Sequence, residues 1–534
     1  MTSPSPTATS PTFALLTAAL SGAAVIIIEL SAVRLLAPWF GTSLVVWSNV
    51  IGVVLLGLAL GYLIGARLSQ GAAPVRHLRW VLGIAVAWVG LIPFLAPHAA
   101  GGLTPETLNL DRALAVFRWG SLAASGLLFL GPAIVLGCVG PLVTEALGRY
   151  RGLNPGDAGG RVLFGSTLGS LAGVFTTSWY LVPTLGLRGT YLAAALVLVL
   201  ALGSSLLAWR GTLVGSKAAA LALIGLAGFA LPSELQAASP GQTVLELVES
   251  PYQRVRVVEV AAPEPDGAIT RFLQVNETSN SYQSAWQPEP GLLDGSFYFN
   301  DFVLPYFWQA ERPDTWRVLC IGLGAGTAKR VLEGELGPLG VDVRFFGIEL
   351  DPAVVELAER WCGLEVGPGD RVLAGVDGRA ALAGAHGPYD QIIVDAYANQ
   401  FEIPPHLVTR EFFESLRARL APGGWVQLNV GGAAPEAALP RAVASTLATA
   451  LQASVMTLEV PGTQNQVLTA QIGEALPNPT GSRFRPLDLP AGVRELLVGR
   501  EVRGLWAWTS ATGPHDLVLT DDSAPVEALL FGDL

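Results

Sequence analysis

Seven apolar stretches, one after another, fill the first 232 residues of this chain and leave it few ways to fold. They run over roughly 13–36, 44–66, 80–98, 119–143, 162–182, 189–209 and 216–232. Each is near the ~20 residues that a helix needs to cross the hydrocarbon core of a bilayer. So many in series point to a multi-span α-helical membrane bundle over 13–232, behind a Ser-, Thr- and Pro-rich disordered start at 1–12. The stretch 1–12 carries no basic residues, so a cleaved signal peptide is not expected. The mean hydropathy of +0.47, with only 14% charged residues, reflects this half.

The loops carry an orientation signal. Arg67, Arg76, Arg79, Arg149, Arg151, Arg161, Arg210 and Lys217 fall in the even loops. The odd loops hold only Arg112, Arg118 and Arg188, apart from Arg34 at a helix end. The positive-inside rule then puts the N-terminus and the even loops in the cytoplasm. Seven spans would leave the second half outside. Either the count is off by one, most readily in the region before Tyr150 that Pro132 and Pro141 interrupt, or the second half is exported; the cytoplasmic side of the cell membrane is preferred. Glu29 and Arg34 are about 140° apart on one helix, so each faces a neighbouring helix. Gly57, Gly61 and Gly65 make a small-residue packing face.

After a polar linker at 233–242, the second half is organised around 317–351. Val318 to Ile321 reads as a buried parallel strand. Gly322, Gly324 and Gly326 follow, then a helical stretch, then a second apolar run that ends at Glu349. Strand, glycine turn, helix, strand and acid make a nucleotide-binding arrangement, in which the acid accepts hydrogen bonds from ribose hydroxyls. Thr327 stands where a dinucleotide fingerprint has its third glycine, so the spacing suits an S-adenosylmethionine-type ligand better. A glycine-rich turn without a ligand is the bland alternative. The fold class expected is an α/β Rossmann-like domain of the class I methyltransferase type over 311–475. A small β-rich unit at 243–310 precedes it, and an extension at 476–534 follows. The net charge of −11 argues against nucleic acid as a partner. Cys138, Cys320 and Cys362 lack metal-ligand spacing and the five histidines are scattered, so no metal is expected.

A set of motifs narrows this further. SPYQRVRVVE (250–259), the glycine turn, GIELDPAVVELAERW (347–361), VDGR (376–379), YDQIIVDAY (389–397) and LVTREFFESLRARLAPGG (407–424) come in one order. Together they resemble the spermidine synthase (polyamine aminopropyltransferase) family over roughly 244–475. RLLAPWFGTS (34–43), STLGSLAGVF (166–175) and LTDDSAPVEAL (519–529) resemble the bacterial branch fused to a membrane bundle.

The resemblance implies a transferase that moves the aminopropyl group of decarboxylated S-adenosylmethionine to an amine such as putrescine, and it suggests a homodimer. It assigns Gln253 to the nucleoside, Glu349 to the ribose, Asp377 and Gly378 to the adenine, and Asp395 to catalysis. Asp395 alone would read as a turn former or helix cap. The sequence departs from the family pattern at Ala325 and Ala398, where aspartates are usual, and at Phe299-Asn300-Asp301, where the acid is shorter. Binding a cationic amine out of water needs carboxylates, so the nucleoside half of the site is better kept than the amine half. Asn300, Asp301, Tyr397, Asp521 and Asp522 are candidate substrate contacts; for the last two, a solvated acidic turn is the alternative. Two other readings stay open: an S-adenosylmethionine-dependent methyltransferase acting on a membrane-delivered substrate, and a non-catalytic polyamine- or nucleoside-binding transport or sensing protein.

Overall fold

The computed structural model describes residues 7–8, 11–40, 43–103, 116–210, 241–261, 269–276, 282–397, 403–473, 476, 484, 486, 488–510 and 517–531. The chain divides into two compact units. The first holds Met1–Ala237 together with Glu249–Gln253 and Asn276–Ser279, and the second holds the rest.

The first unit is helical. Its elements are α1 (Pro11–Phe40), α2 (Leu44–Ser69), α3 (Pro74–Gly101), α4 (Arg118–Arg151), α5 (Pro155–Thr176) and α6 (Val182–Ala208). Two-residue strands β1 (Thr7–Ala8) and β2 (Trp209–Arg210) bracket them. A π turn, Thr177–Leu181, joins α5 to α6, which makes one apolar helical run of 54 residues. Counted that way, five runs among the described residues are long and apolar enough to cross a membrane. At 1.5 Å per residue the last run is about 80 Å long, far beyond one bilayer. Gly186 breaks it, with φ 64° and ψ −179°, so it supplies two membrane-length segments.

Small residues set the helix pairings. A Cβ built on Gly165, Gly169 or Gly173 would lie within 3.2 Å of Leu15, Ala19 or Ala23 in turn. The matching order makes α1 and α5 parallel. Likewise Gly57, Gly61 and Gly65 abut Ala133, Gly137 and Cys138, so α2 and α4 are parallel. This is the close backbone approach that small-residue spacing permits. The α6 helix runs against α1, because β1 pairs antiparallel with β2 and the Thr17 and Ser204 hydroxyls meet at 2.7 Å. Arg79, at the start of α3, donates to the carbonyls of Ser205 and Trp209 at the end of α6. Six segments alternate in direction, so Ala8 and Arg210 share one end of the bundle. The region before Tyr150 is a single run and holds no extra crossing. The seventh stretch, 216–232, lies outside the described residues.

The second unit carries two sheets. Four antiparallel strands make the smaller, in the order β3 (Gln242–Glu249), β4 (Arg254–Val260), β5 (Thr270–Val275) and β6 (Ser284–Trp286). A 3-10 turn, Tyr298–Val303, and the short helix α7 (Leu304–Trp308) follow. The larger sheet has eight strands. Its parallel part is built from β7 (Thr315–Ile321), β8 (Asp342–Glu349), β9 (Arg371–Ala374), β10 (Tyr389–Val394) and β11 (Leu420–Gly431). The antiparallel strands β12 (Val455–Glu459), β13 (Asn465–Gln471) and β14 (Trp506–Thr509) complete it. The order is β14-β12-β13-β11-β10-β7-β8-β9.

Helices α8 (Thr327–Leu336) and α9 (Pro352–Trp361) pack one face of this sheet. Helices α11 (Arg410–Arg417), α12 (Ala438–Leu451) and α14 (Val526–Phe531) pack the other, and a four-residue helix α10 (Gly378–Ala381) and α13 (Ala491–Arg503) complete the chain order. With both faces covered, the central strands are apolar on both sides, and Val318, Leu319, Cys320 and Ile321 are all at most 1% exposed.

The parity of the first unit can be checked in the full chain reconstituted in vesicles. Cysteines placed at Ala8 and Arg210 are expected to react with an impermeant reagent from the same side, and a cysteine at Leu44 from the opposite side. The three native cysteines are buried and give little background. Labelling of positions 8 and 210 from opposite sides would refute the six-segment arrangement.

Candidate active site

The sheet order reverses between β7 and β10, and the crevice at that point is where open α/β sheets take their ligands. Val394 sits opposite Ile321, and the next residue, Asp395, donates its backbone N–H to the Ile321 carbonyl at 2.8 Å. The glycine turn therefore begins directly against the end of β10. Gly322 has φ +88°, and a Cβ there would lie 2.2 Å from the Asp395 carbonyl oxygen. Two backbones touch at this point, so position 322 demands glycine for space as well as for conformation.

Asp395 is held by two side chains. Tyr298 Oη donates to Oδ2 at 3.0 Å, and Asn429 Nδ2 donates to Oδ1 at 3.2 Å. Tyr397, two residues on, donates its hydroxyl to the Asn429 carbonyl at 2.9 Å. Burial pushes the Asp395 carboxyl up to about 7. The two hydrogen bonds pull against burial, and the negative charge of Glu349 adds to it. Burial also drives the Tyr298 hydroxyl well above the ordinary phenol range, so it stays a donor. Asn429 is 3% exposed, and its Oδ1 is an acceptor without a partner. A buried acceptor left open is costly unless something fills it.

The neighbouring strand end supplies a second acid. Glu349 accepts from Gly324 N at 3.0 Å through Oε2 and from Asp351 N at 3.2 Å through Oε1. Each oxygen keeps a lone pair for a further donor. Burial raises its carboxyl, and the backbone N–H groups of Gly324, Asp351 and Leu350 offset part of that. Gly324 is packed too, since a Cβ would meet Ser284 Oγ at 2.3 Å. Gly326, with φ +77°, caps α8.

Asp377 stands at the next strand end and caps α10, accepting from Arg379 N at 3.0 Å and Ala380 N at 3.1 Å. His406 Nε2 lies 2.8 Å from its other oxygen. Partial burial works against ionisation here, yet the His406 and backbone contacts hold the carboxyl below its usual range. Gly378 is pressed on the core, with Ile321 Cγ2 2.4 Å from where a Cβ would be.

The structure thus gathers Gly322, Gly324, Glu349, Asp395 and Tyr397 around one crevice, with Asp377 and Gly378 at the adjoining strand end. Other expected residues have different work. Asn300 is not open to a substrate, because its amide is closed on Leu293 N and Leu293 O, both at 2.9 Å. Asp301 is buried in an ion pair with Arg500 at 2.6 Å. Asp521 does not join the Asp395 group. It takes two 2.6 Å hydrogen bonds from Arg379 and one of 2.7 Å from Thr409, which hold it down at about 2. Asp522 is exposed beside it. Gln253 ends the turn Ser250–Gln253, which is counted with the first unit. Ala398 lies outside the described residues.

The sequence reading missed Tyr298, Asn429 and His406 as members of the site. For Asn429 there was a signal: a polar residue near the C-terminal end of a buried strand beside the one that leads to Asp395. Among the described residues, no group of three His, Cys, Asp or Glu side chains could hold a metal ion.

No family model matches the chain. A polyamine aminopropyltransferase of Streptomyces coelicolor is 28% identical over 531 residues, 93% of this chain and 86% of that protein. A probable polyamine aminopropyl transferase of Bifidobacterium longum is 27% identical over 283 residues, 49% of this chain and 60% of that protein. Over about half its length, and for the Streptomyces protein over nearly the whole length, the chain is thus similar to polyamine aminopropyltransferases. The match to the Bifidobacterium protein leaves more than a third of that relative uncovered. A solved structure of a probable spermidine synthase from Corynebacterium glutamicum covers 52% of this chain and 98% of its own, with 19% identity and a TM-score of 0.39.

The raised carboxyl has a consequence for stability. The folded state holds the Asp395 proton up to about 7, whereas an unfolded aspartate releases it near ~3.9. Stability therefore falls as pH rises between these values, by at most roughly 4 kcal/mol. Asp395→Asn is expected to raise the Tm of the second unit in the full chain at pH 8, and the gain should vanish toward pH 4. A variant equally destabilised at both pH values would show that the carboxyl is not strained by burial.

Proposed function

We propose that the second unit transfers the aminopropyl group of decarboxylated S-adenosylmethionine to a small amine such as putrescine, in a chain anchored in the cell membrane. One observation carries this reading: a half-buried carboxyl, pushed up to about 7 by desolvation, stands beside an open buried acceptor, Asn429 Oδ1. An incoming amine supplies N–H donors to both. The kinship with polyamine aminopropyltransferases supports the same reaction.

In this reading the adenosyl donor lies in the crevice, with its ribose hydroxyls donating to Glu349, whose oxygens retain lone pairs. The amine gives a proton to Asp395, its nitrogen lone pair attacks the carbon next to the sulfonium, and the carbon–sulfur bond breaks. The sulfonium becomes a neutral thioether, methylthioadenosine, and the new carbon–nitrogen bond completes the extended amine. Tyr298 and Asn429 hold the carboxylate in place, and most of the acceleration comes from aligning the two reactants and removing the proton.

The even parity through Arg210 supports a cytoplasmic second unit, since the basic loops put the N-terminal side in the cytoplasm. That placement requires that 216–232 does not make a further crossing.

The test is calorimetric binding and turnover with the full chain in nanodiscs, comparing S-adenosylmethionine with its decarboxylated form and screening amines. Tighter binding of the decarboxylated donor, lost in Glu349→Ala, is expected. So is product whose rate rises with pH through about 7, and which Asp395→Asn cuts by about 10²–10⁴-fold. Preference for S-adenosylmethionine with methylated product would replace this reading by methyl transfer. Binding without turnover of any donor would leave a binding module.

A further inference from the structure

The 3-10 turn Tyr298–Val303 delivers the Tyr298 hydroxyl to Asp395, and an element far along the chain grips the same turn. On α13, Val493, Leu497 and Arg500 are buried at i, i+4 and i+7, so the arginine occupies a position on the apolar face. Its Nε donates to Asp301 at 2.9 Å and its Nη2 donates to Asp301 Oδ2 at 2.6 Å. Nη2 also donates to the Phe297 carbonyl at 3.2 Å. One guanidinium thus holds the residue just before Tyr298 and the residue three after it. Arg500 and Asp301 are 6% and 0% exposed.

From the opposite side, the sheet holds the turn by its carbonyls. Gln391 Nε2 donates to Phe302 O at 2.7 Å, and Gln427 Nε2 donates to Asp301 O at 3.1 Å. The two glutamines meet at 2.8 Å, and Trp316 Nε1 donates to Gln391 at 2.8 Å. These glutamines lie on β10 and β11, the strands that lead to Asp395 and carry Asn429. The turn is therefore referenced to the sheet on one side and to α13 on the other.

We infer that Arg500 is a positioning residue for the candidate base, acting through Asp301 and the 298–303 turn to hold Tyr298 against Asp395. An ion pair serves this purpose where an apolar contact would not. Apolar packing tolerates sliding, but a planar fork bonded to a carboxylate and a carbonyl fixes both distance and direction. The inference rests on Asp395 as the reactive carboxylate, but not on which group is transferred.

The groups that face Asp395 are Tyr298 from the turn, Tyr397 beside it, Glu349 from the end of β8, Cys320 from β7 and the amide of Asn429. Of these, only Tyr298 is carried by the element that Arg500 holds. Loss of Arg500 should therefore remove the Tyr298 hydrogen bond and leave the others.

The test titrates the Asp395 carboxyl directly, in the full chain in nanodiscs without any substrate. Its infrared C=O band is assigned by difference from Asp395→Asn. Tyr298→Phe is the reference, expected to raise the midpoint by about half a unit to one unit. Arg500→Lys, which keeps the charge but not the fork, should move it partway in the same direction. The double variant Asp301→Asn with Arg500→Gln leaves no lone buried charge and should move it as far as Tyr298→Phe does. A double variant with native secondary structure and an unchanged midpoint overturns the inference. An upward shift in the double variant but not in Arg500→Lys sustains it and makes charge, rather than fork geometry, the operative feature. If no aminopropyl product forms with any amine, these midpoints still decide the role of Arg500.

Discussion

The contact between the ends of β7 and β10 governs the rest of the second unit. Asp395 N–H bonded to Ile321 O leaves no room for a side chain at position 322. The glycine turn is forced against the carboxylate-bearing loop, and Asp395 is only partly exposed there. Withdrawal from water has two effects that need each other. It raises the Asp395 carboxyl toward neutrality, and it makes each hydrogen bond to that carboxyl stronger than it would be in water. The Tyr298 and Asn429 side chains are then required, because a carboxyl withdrawn from water without partners would cost free energy.

The arrangement also explains why so much polar chemistry is sunk beneath the crevice. Trp316, Gln391 and Gln427 form a chain of bonds through the sheet, and Arg500 with Asp301 adds a buried ion pair below the turn. Replacing such a group by packed apolar residues is often neutral or stabilising for a fold. Stability alone is thus a weak reason for these groups to be where they are. Their common feature is direction: Gln391, Gln427 and Arg500 each donate to the segment that places Tyr298.

The local pattern was readable in the sequence because it is local. A strand, three glycines, a helix and an acid lie within 35 consecutive residues, and periodicity identifies each. The transmembrane-length stretches were readable for the same reason, since hydropathy needs only a window of the chain. What resisted reading was pairing across distance. Asp301 looked free because Arg500 is 199 residues away. Asp521 looked available to the pocket because Arg379, its partner, is 142 residues away. Arg500 itself sits in a helix where charge reads as solvent-facing, and only packing shows that it points inward. Asn429 was hidden differently: an amide in a buried strand, two residues from Gln427, reads as a tolerated polar residue until the carboxylate next to it is seen.

Charge balance gives the candidate site a direction of operation on the proposed reading. With Glu349 near and the carboxyl largely desolvated, Asp395 resists carrying a negative charge while the site holds no cation. A sulfonium in the crevice would favour the carboxylate by direct attraction, as a positive neighbour does for any buried acid. The base is then most strongly ionised when the donor is present to react. Transfer turns the sulfonium into a neutral thioether, and that attraction is lost at the moment the carboxylate has taken its proton. The neutral acid is the form that burial prefers, so the proton is held until the crevice opens to water. A carboxylate in a wet surface site would show neither half of this cycle. On the proposed reading the desolvation of Asp395 is part of the chemistry, and the hydrogen bonds from Tyr298 and Asn429 are what make it tolerable.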